Sequence, residues 1–385
     1  MTPAARVAAA IEVLDAVLEG QPAEQALSQW GRAHRFAGSK DRAAIRDLVF
    51  AALRRRSSYG ALGGALTGRG LMIGHCVAGH ASLDAVFSGE GYAPAPLSEL
   101  EQGRARAEQD VSRSDLCDMP DWILSQLDAA YGAEADQICR ALRDRAPLDL
   151  RVNGRKGDVA DAQERLAAEG ITAEPVSGVP GALRVGDGAR RVAQSAAYRD
   201  GLVEIQDAAS QAAVLETPVP DAGRVLDYCA GGGGKALALA ARSDAEVHVH
   251  DIAPARMKDI PARAARAGVD LPVWQAGQGG FDLVFCDAPC SGSGTWRRAP
   301  EAKWALTPER LEGYVAAQKE VLRNALPLVR PGGVLVYATC SILPVENADQ
   351  VGWMAETCPK ARLRGQAQLL PNAPGDGFFY AIFDV

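Results

Sequence analysis

Hydrophobic residues in the first part of the chain recur every three or four positions, which is the spacing of an amphipathic helix. The opening series of such positions consists of Val7, Ile11, Leu14 and Leu18. Two further series lie in the segments DRAAIRDLVFAALRRR and DWILSQLDAAYG. Glycine and proline are frequent near residues 60–70 and 88–98, where we expect loops. The pattern predicts an all-helical region over residues 1–145.

The pattern changes at residue 146. The segment LDLRVN alternates apolar and polar residues as a strand does, whereas DVADAQERLAAEG has helical spacing and ends at Gly170. The segments ITAEPV and ALRVG that follow are short and extended. Together these features predict a small α+β connector over residues 146–200.

From residue 201 onward, apolar strand-like runs alternate with helical segments. GRVLDYC precedes KALALAARS, AEVHVHDI precedes PARMKDIPARAARAG, and FDLVFCDAP and GGVLVYATCS flank a further helix predicted over residues 308–328. This alternation is typical of an α/β fold with a doubly wound, mostly parallel sheet. We therefore predict such a sheet over residues 201–385.

Charged or reactive side chains lie where the predicted strands end. They are Asp227, Asp251, Asp287, Cys290 and Cys340. Ligands of doubly wound sheets bind outside the carboxyl ends of the strands. The shared placement therefore predicts one site at that edge of the sheet.

Composition and charge set the broad class of the protein. The 385 residues are 48% hydrophobic and 23% charged, as in globular proteins that bury substantial cores. A net charge of −7 argues against a protein that coats nucleic acid indiscriminately, although it leaves room for a local basic groove. Residues 1–60 carry nine Lys and Arg against six Asp and Glu, which indicates either a solvated helical face or a contact surface for RNA or a partner.

The distribution of cysteine and of apolar residues indicates the compartment. Eight cysteines are scattered without paired CxxC spacing, as expected of reduced thiols in the cytoplasm. The five histidines do not pair with cysteines at ligand spacing, so no metal site is predicted. No apolar stretch approaches the length of a membrane span, and Glu12, Asp15 and Glu19 interrupt the apolar residues of the N-terminal segment, unlike those of a signal peptide. We expect no membrane partner.

The stretch VLDYCAGGGGK combines a strand, an acid and a glycine loop that opens a helix. Glycines let the backbone approach a ligand closely, and a helix N-terminus offers unpaired N–H groups. It is not a phosphate-binding P-loop, because Cys229 stands where that motif has glycine and Ala236 where it has serine or threonine. A dinucleotide site or an S-adenosylmethionine site remains.

The second strand of this region, VHVHD, ends in Asp251, 24 residues after Asp227. An acid at this position accepts hydrogen bonds from ribose hydroxyls in nucleotide-binding sheets. The alternative is that Asp251 caps the next helix. Dinucleotide and S-adenosylmethionine enzymes share the acid, so it does not separate them.

The stretch DAPCSGSG places a carboxylate, Asp287, three residues from a thiol, Cys290. Methylation of cytosine at C5 needs a thiolate that adds to C6, an acid that stabilises the adduct near N3, and a base that removes the C5 proton. Cys340, fifty residues further on, supplies a second thiol at the end of another strand. Cysteine is also a common core residue, and Cys229 and Cys286 are expected to be core. For Cys290 and Cys340, which have small or polar neighbours, the pattern favours function.

The motifs DYCAGGGGK, FCDAPCSGSGTWRRAPEAKW and YATCSILPVEN together resemble those of the RNA 5-methylcytosine methyltransferases. The resemblance is strongest to the bacterial small-subunit rRNA methyltransferase B group, and it extends to VEIQDAASQ and GDGFFYAIF, covering about residues 150–385. The segment DRAAIRDLVFAALRRR is similar to the NusB-like RNA-binding domain of those enzymes. The resemblance implies a Rossmann-like methyltransferase sheet, preceded by an all-helical NusB-like domain and the small connector.

The resemblance also implies roles for individual residues. Cys340 would be the nucleophile that attacks C6, Cys290 would assist product release, and Asp287 would contact the ring at N3. The residues implied to hold S-adenosylmethionine are Cys229, Ala230, Gly231, Gly232, Gly233, Gly234, Lys235, Asp251 and Asp287. The basic residues after the thiol loop, expected to meet RNA phosphates, are Arg297, Arg298 and Lys303. We expect a monomer.

The chain departs from the family pattern in its cofactor motifs. Gly231-Gly232 replaces the usual Ala-Pro, and Ala236 replaces a common threonine. The family's acid beside the adenine is missing from VWQAGQGG, where Gln275 or Gln278 would hydrogen-bond instead. We expect preserved but weakened cofactor binding. Two alternatives stay open: a tRNA cytosine-5 methyltransferase, and a non-catalytic RNA-binding or assembly factor.

Overall fold

The computed structural model describes residues 1–104, 110–371 and 375–385. The chain forms two compact units. The helical unit consists of Met1–Arg145 and Trp296–Ala305, and the sheet unit of Ala146–Thr295 and Leu306–Val385. In the described ranges, none of the helices has both the length and the apolar character needed to cross a membrane.

The α-helices follow in chain order. They are α1 Pro3–Leu18, α2 Ala23–Ala33, α3 Ser39–Arg54, α4 Arg56–Gly63, α5 Gly68–Ala78, α6 Leu83–Val86, α7 Glu99–Arg104, α8 Arg113–Cys117, α9 Asp121–Tyr131, α10 Ala135–Arg143, α11 Val159–Ala168, α12 Ala196–Arg199, α13 Ala208–Glu216, α14 Gly234–Ala240, α15 Ile260–Ala267, α16 Pro300–Ala305, α17 Pro308–Ala325 and α18 Ala348–Thr357.

The strands form two sheets. They are β1 Leu148–Val152, β2 Ala173–Pro175, β3 Ala182–Val185, β4 Val203–Ile205, β5 Arg224–Asp227, β6 Glu246–Val249, β7 Phe281–Asp287, β8 Val329–Thr339, β9 Arg362–Leu369 and β10 Phe378–Asp384. The small sheet has the order β2-β3-β1-β4 and the large one β6-β5-β7-β8-β10-β9.

The helical unit contains α1–α10 and α16. The loop expected near residues 60–70 is confined to residues 64–67, between α4 and α5. The glycines on either side of these four residues belong to the two helices. They let the two helices approach closely: a Cβ on Gly74 would lie 2.0 Å from the carbonyl oxygen of Tyr59, and one on Gly63 1.9 Å from that of Gly70. These glycines therefore serve helix packing.

The segment Trp296–Ala305 lies within the helical unit, although it is distant from α1–α10 in sequence. Its Trp304 donates from Nε1 to the carbonyl of Leu53 at 3.3 Å, and its Glu301 carboxylate accepts the N–H of Ala23 at 2.9 Å. Trp296 is only 1% exposed. Ten residues of the predicted 201–385 region thus complete the core of the helical unit.

The predicted connector supplies three of the four strands of the small sheet, and β4 lies just beyond its predicted end at residue 200. Strand β1 pairs antiparallel with both β3 and β4, and β3 pairs antiparallel with β2. Helix α11 begins with a capping box in which Asp158 and Asp161 each accept the backbone N–H of the other. This small α+β layer belongs to the same compact unit as the large sheet.

The large sheet confirms the predicted doubly wound α/β fold. β5 pairs in parallel with β6 and β7, and β7 in parallel with β8, whereas β10 runs antiparallel to β8 and β9. The chain leaves β5 to form β6 on one side and returns to form β7 on the other. Such a switch point opens a crevice at the carboxyl ends of β5 and β7. Asp227 and Asp287, the last residues of these two strands, line that edge.

Adding a methyl group at the α4–α5 contact should destabilise the helical unit. We expect Gly74→Ala to lower the free energy of unfolding by about 1–3 kcal/mol, because the new Cβ meets backbone that cannot move aside. Gly352→Ala is the matched control, since no atom lies within 4 Å of a Cβ at that position in α18. Thermal unfolding of both full-length variants measures the difference. An unchanged midpoint for Gly74→Ala would contradict the close packing.

Candidate active site

The glycine loop lies between β5 and α14, as the sequence predicted. Gly231 and Gly233 have φ values of +52° and +83°, in the left-handed region that favours glycine. The N–H of Gly233 closes a turn onto the carbonyl of Ala230 at 2.8 Å. The backbone of Cys229–Gly234 therefore forms a curved surface that leads into the N-terminus of α14.

Asp251 braces this loop from the end of β6. Its Oδ2 accepts the N–H of Gly231 at 2.9 Å and lies 3.2 Å from Nη1 of Arg256, while its Oδ1 accepts the N–H of Ala253 at 2.9 Å. A carboxylate has about four lone-pair sites, so one acceptor position remains for a ribose hydroxyl. Asp251 thus serves the loop and the following turn and still fits the predicted ligand role.

Lys235 and Asp287 form an ion pair at the strand ends. Lys235 Nζ lies 2.6 Å from Asp287 Oδ2 and 5.1 Å from the centre of the Phe378 ring. Burial alone would lower the pKa of Lys235, but attraction by Asp287 and the hydrogen bond to it raise that pKa. The ammonium therefore stays charged and holds Asp287 at the mouth of β7.

A second carboxylate, Asp227, is completely buried beneath this pair. Neither of its oxygens has a well-formed hydrogen bond among the described residues, although the backbone amides of Cys229 and Ala236 lie close enough to favour the carboxylate. Burial, and then the charge of Asp287, raise the pKa of Asp227 to about 7. The site thus holds one acid paired with an ammonium and a second acid whose ionisation is poised near neutrality.

Aromatic and aliphatic side chains line the other side of the glycine loop. The ring of Tyr228 stacks on His250 at 4.5 Å, and Trp274 meets His250 edge-on at 5.2 Å. Ile252 is 89% exposed directly after Asp251. In the segment that lacks an acid, Gln278 accepts the indole N–H of Trp274 on its carbonyl and the N–H of Gln275 on its side chain. Gln278 therefore orders this loop.

The structure brings the two predicted catalytic thiols together. Cys290 Sγ and Cys340 Sγ are 3.4 Å apart on the loops that follow β7 and β8. The hydrogen bond with Cys340, and then burial, raise the pKa of Cys290 well above its ordinary value. The thiol of Cys290 therefore stays protonated and can donate to the sulfur of Cys340.

The other two cysteines near the site differ in their surroundings. Cys286 is fully buried within β7 among apolar side chains, as expected of a core residue, and burial raises its pKa well above the ordinary value. Cys229 is only half-buried in the glycine loop, so the core expectation does not hold for it. Burial, and then the charge of Asp227, raise the pKa of Cys229, so both thiols stay protonated.

The three basic residues expected to meet RNA lie in the helical unit. Lys303 is 1% exposed; its Nζ donates to the carbonyl of Arg54 and lies 4.8 Å from the centre of the Trp304 ring. Burial lowers the pKa of Lys303 to about 8, although the charge of Asp118 opposes that shift. The RNA expectation is therefore corrected for Lys303, because this ammonium packs inside the unit. Arg297 is 8% exposed, and Arg298 is exposed.

Sequence reasoning missed two buried polar residues beside the thiols, Glu346 and Gln318. Both are 0% exposed, and they hydrogen-bond to each other at 3.0 Å. Glu346 lies inside the segment YATCSILPVEN, and an acid among apolar residues there could have indicated a buried polar group. Gln318 lies in the middle of α17 and carried no such signal.

Two family profiles match the chain. One, described as 16S rRNA methyltransferase RsmB/F, matches residues 213–384. The other, described as the ferredoxin-like domain of RsmF/B-like methyltransferases, matches residues 119–191. Together they cover the sheet unit's large sheet and most of its small one.

Two curated relatives carry the name ribosomal RNA small subunit methyltransferase B. The protein of Serratia proteamaculans is 35% identical over 280 residues, which are 68% of this chain and 65% of the relative's length. That of Xylella fastidiosa strain Temecula1 is 35% identical over 392 aligned positions, covering 89% of each chain. Among solved structures, NSun6 from Pyrococcus horikoshii with SFG superposes with a TM-score of 0.61 at 18% identity, over 70% of this chain and 99% of that one. The last likeness concerns the fold alone.

The raised pKa of Asp227 should make stability depend on pH. Because its folded pKa of about 7 exceeds the ordinary value of 3.8, the folded state keeps a proton that the unfolded state loses between these values. Asp227 therefore supports stability below about pH 4 and progressively less up to pH 7. We expect Asp227→Asn to unfold less readily than wild type at pH 8, with the difference disappearing near pH 4.

Urea unfolding of wild type and Asp227→Asn at several pH values tests this dependence. Asp270→Asn, at an exposed position, is the matched control and should give a difference that does not change with pH. A constant difference for Asp227→Asn as well would show that the buried carboxyl does not titrate in this range.

Proposed function

Since the chain belongs to the RsmB/F family of 16S rRNA methyltransferases, we propose that it methylates cytosine C5 in small-subunit rRNA, using S-adenosylmethionine. The observation that carries this proposal is the pair of thiols 3.4 Å apart at the ends of two neighbouring strands. Ordinary methyl transfer to an oxygen or nitrogen has no need of two thiols. Cytosine C5 needs one to activate the ring and benefits from a second when the adduct is released.

The residues around the glycine loop fit S-adenosylmethionine. The left-handed backbone of Gly231 and Gly233 curves the loop toward α14, and Asp251 has an acceptor position left for a ribose hydroxyl. The exposed Ile252 offers an apolar surface on which an adenine can lie. When bound, S-adenosylmethionine supplies an electrophilic methyl group. Gln275 and Gln278 stand where the family has an acid, so the adenine end is held without a charge.

The chemical steps follow from the two thiols and the ion pair. The Cys340 thiolate, stabilised by the S–H of Cys290, adds to C6 and forms a carbon–sulfur bond, and the displaced electron pair makes C5 nucleophilic. We assign Asp287, held by Lys235, to N3, where it would give the ring nitrogen a proton as the thiolate adds and take that proton back on release, so that the adduct carries no net charge. After C5 has gained its methyl group, it still carries a proton that must leave.

Release of the product reverses the addition. A base takes the C5 proton, and the electron pair of the C5–H bond restores the C5–C6 double bond. The electron pair of the carbon–sulfur bond returns to the sulfur of Cys340. We assign assistance in this step to Cys290, since its sulfur lies beside the breaking bond. Its S–H, which its surroundings keep protonated, can donate to the Cys340 sulfur as the carbon–sulfur bond breaks.

The RNA partner is proposed from family membership, and we propose that Arg298, which is exposed, meets an RNA phosphate. The NusB-like character of the helical unit and the monomeric state stay predictions. With rRNA as substrate, the cytoplasm is the expected place of action. A tRNA substrate would use the same active-site chemistry, so total tRNA belongs in the assay beside small-subunit rRNA.

Replacing Cys290 and replacing Cys340 should have different effects on the reaction. With S-adenosylmethionine and unmodified small-subunit rRNA, Cys290→Ala should accumulate a protein–RNA adduct that survives denaturing electrophoresis, because release is impaired. Cys340→Ala should lose adduct and methylation together, by at least 100-fold. Cys358→Ala, at a free cysteine outside the site, should behave as wild type. If all three variants methylate RNA equally, the two-thiol mechanism is wrong.

Cofactor binding separates an enzyme from a non-catalytic RNA-binding factor. We expect calorimetry to show S-adenosylmethionine binding by wild type, and at least tenfold weaker binding by Asp251→Ala, because the loop loses its brace and the ribose its acceptor. Asp270→Asn should match wild type. Absence of wild-type binding at millimolar ligand would favour the non-catalytic reading that the altered glycine loop left open.

A further inference from the structure

The position of one thiol relative to the other is not fixed by the sheet itself. The parallel ladder between β7 and β8 ends at Asp287 and Ala338, and one more backbone hydrogen bond joins Ala288 to Ala338 at 2.8 Å. Cys290 and Cys340 lie beyond this point, on loops that meet again where the N–H of Gly294 donates to the carbonyl of Cys340 at 3.0 Å. Other contacts must therefore hold the sulfurs at 3.4 Å.

Glu346 adds contacts next to both thiols with a single buried carboxylate. Its Oε1 accepts the N–H of Ser291 at 2.8 Å, and its Oε2 accepts both the hydroxyl of Ser291 and that of Ser341 at 2.5 Å. Ser291 follows Cys290 and Ser341 follows Cys340 in the chain. The carboxylate thus binds the residue after each thiol, across fifty positions of sequence.

Neighbouring groups hold Glu346 in place and reinforce the bridge. Gln318 donates from Nε2 to Glu346 Oε1 and to the carbonyl of Pro289, both at 3.0 Å. Tyr337 donates its hydroxyl to the backbone carbonyl of Glu346 at 2.6 Å. The carboxylate therefore receives four hydrogen bonds in a site with no exposure, which compensates for burying its charge.

We propose that Glu346 is a positioning residue that holds Cys290 and Cys340 at reacting distance by fastening both of their loops. This inference concerns the geometry of the two thiols and does not depend on the reaction. Its consequence for methylation does rest on the proposed function: loss of the bridge made by Glu346 should slow release of the protein–RNA adduct. An acid is suited to this task, because its two oxygens accept several donors at once whereas an amide has only one acceptor oxygen.

The negative charge of Glu346 also acts on Cys290. The hydrogen bond with Cys340 and burial raise the pKa of Cys290 most, and Glu346 adds to them; burial raises the pKa of Tyr337, and Glu346 contributes there as well. Replacing the acid by glutamine should therefore lower the pKa of Cys290 while keeping the side chain's size. The Glu346→Gln variant therefore separates the effect of the charge on Cys290 from the effect of the hydrogen bonds that hold the two loops.

The equilibrium between the two thiols and their disulfide measures their proximity without RNA or S-adenosylmethionine. In glutathione buffers, one oxidised glutathione converts the thiol pair to a disulfide and yields two reduced glutathiones. The equilibrium constant reports the effective concentration of one thiol at the other. Peptide mapping under non-reducing conditions quantifies the Cys290–Cys340 disulfide in the full-length protein.

We expect Glu346→Ala to lower this constant at least tenfold, and Glu346→Gln to lower it by less than that. Glu356→Ala, at an exposed acid of α18, and Gly74→Ala, which destabilises the other unit, should both stay within twofold of wild type. The rate of thiol alkylation against pH should shift to lower pH for Cys290 in Glu346→Gln. General loss of stability would produce neither pattern.

Unchanged disulfide constants for Glu346→Ala would overturn the proposal, whatever the methylation assay shows. If that variant does not fold, Ser341→Ala and Ser291→Ala each remove one of the fastened hydroxyls and should each lower the constant at least threefold. Constants equal to wild type in both serine variants would likewise overturn it. Should the constants fall as expected while RNA is never methylated, the positioning role stands and the proposed function fails.

Discussion

The parallel pairing of β7 with β8 is the constraint on which the active site depends. Its register sets Asp287 opposite Ala338, so that the loops leaving the two strands start side by side. Two thiols fifty residues apart in sequence then need only a short bridge to meet, and Glu346 supplies it. The backbone hydrogen bonds between β7 and β8 bring the two loops together, and the buried carboxylate of Glu346 adjusts the position of the thiols within them. Neither strand alone defines the site.

The same edge of the sheet concentrates charge in a region with little water. Asp227 and Asp287 are neighbouring acids, and Lys235 pairs directly with Asp287. Burial, and then the charge of Asp287, raise the pKa of the inner acid, Asp227, to about 7. This arrangement disfavours two negative charges side by side at the mouth of β7.

The sequence predicted the features that depend on local pattern and on strand order. The alternation of apolar runs and helices indicated the doubly wound sheet, and the strand-end rule placed Asp251, Asp287 and both thiols at one edge. It could not reveal that Lys303 is buried, because a lysine is usually exposed and the groups that surround this one lie far away in sequence. Gln318 was hidden for the same reason: its contacts are made only in three dimensions.

The segment Trp296–Ala305, which belongs to the helical unit but follows much of the sheet unit in sequence, has a consequence for synthesis of the chain. The helical unit buries Trp296 and Lys303, so its core is incomplete while only residues 1–145 have left the ribosome. Until then the buried acid Asp118 lacks the nearby ammonium of Lys303, whose charge favours its ionised form. The first unit to be translated is therefore finished only after most of the second, and the two folding histories are linked through ten residues.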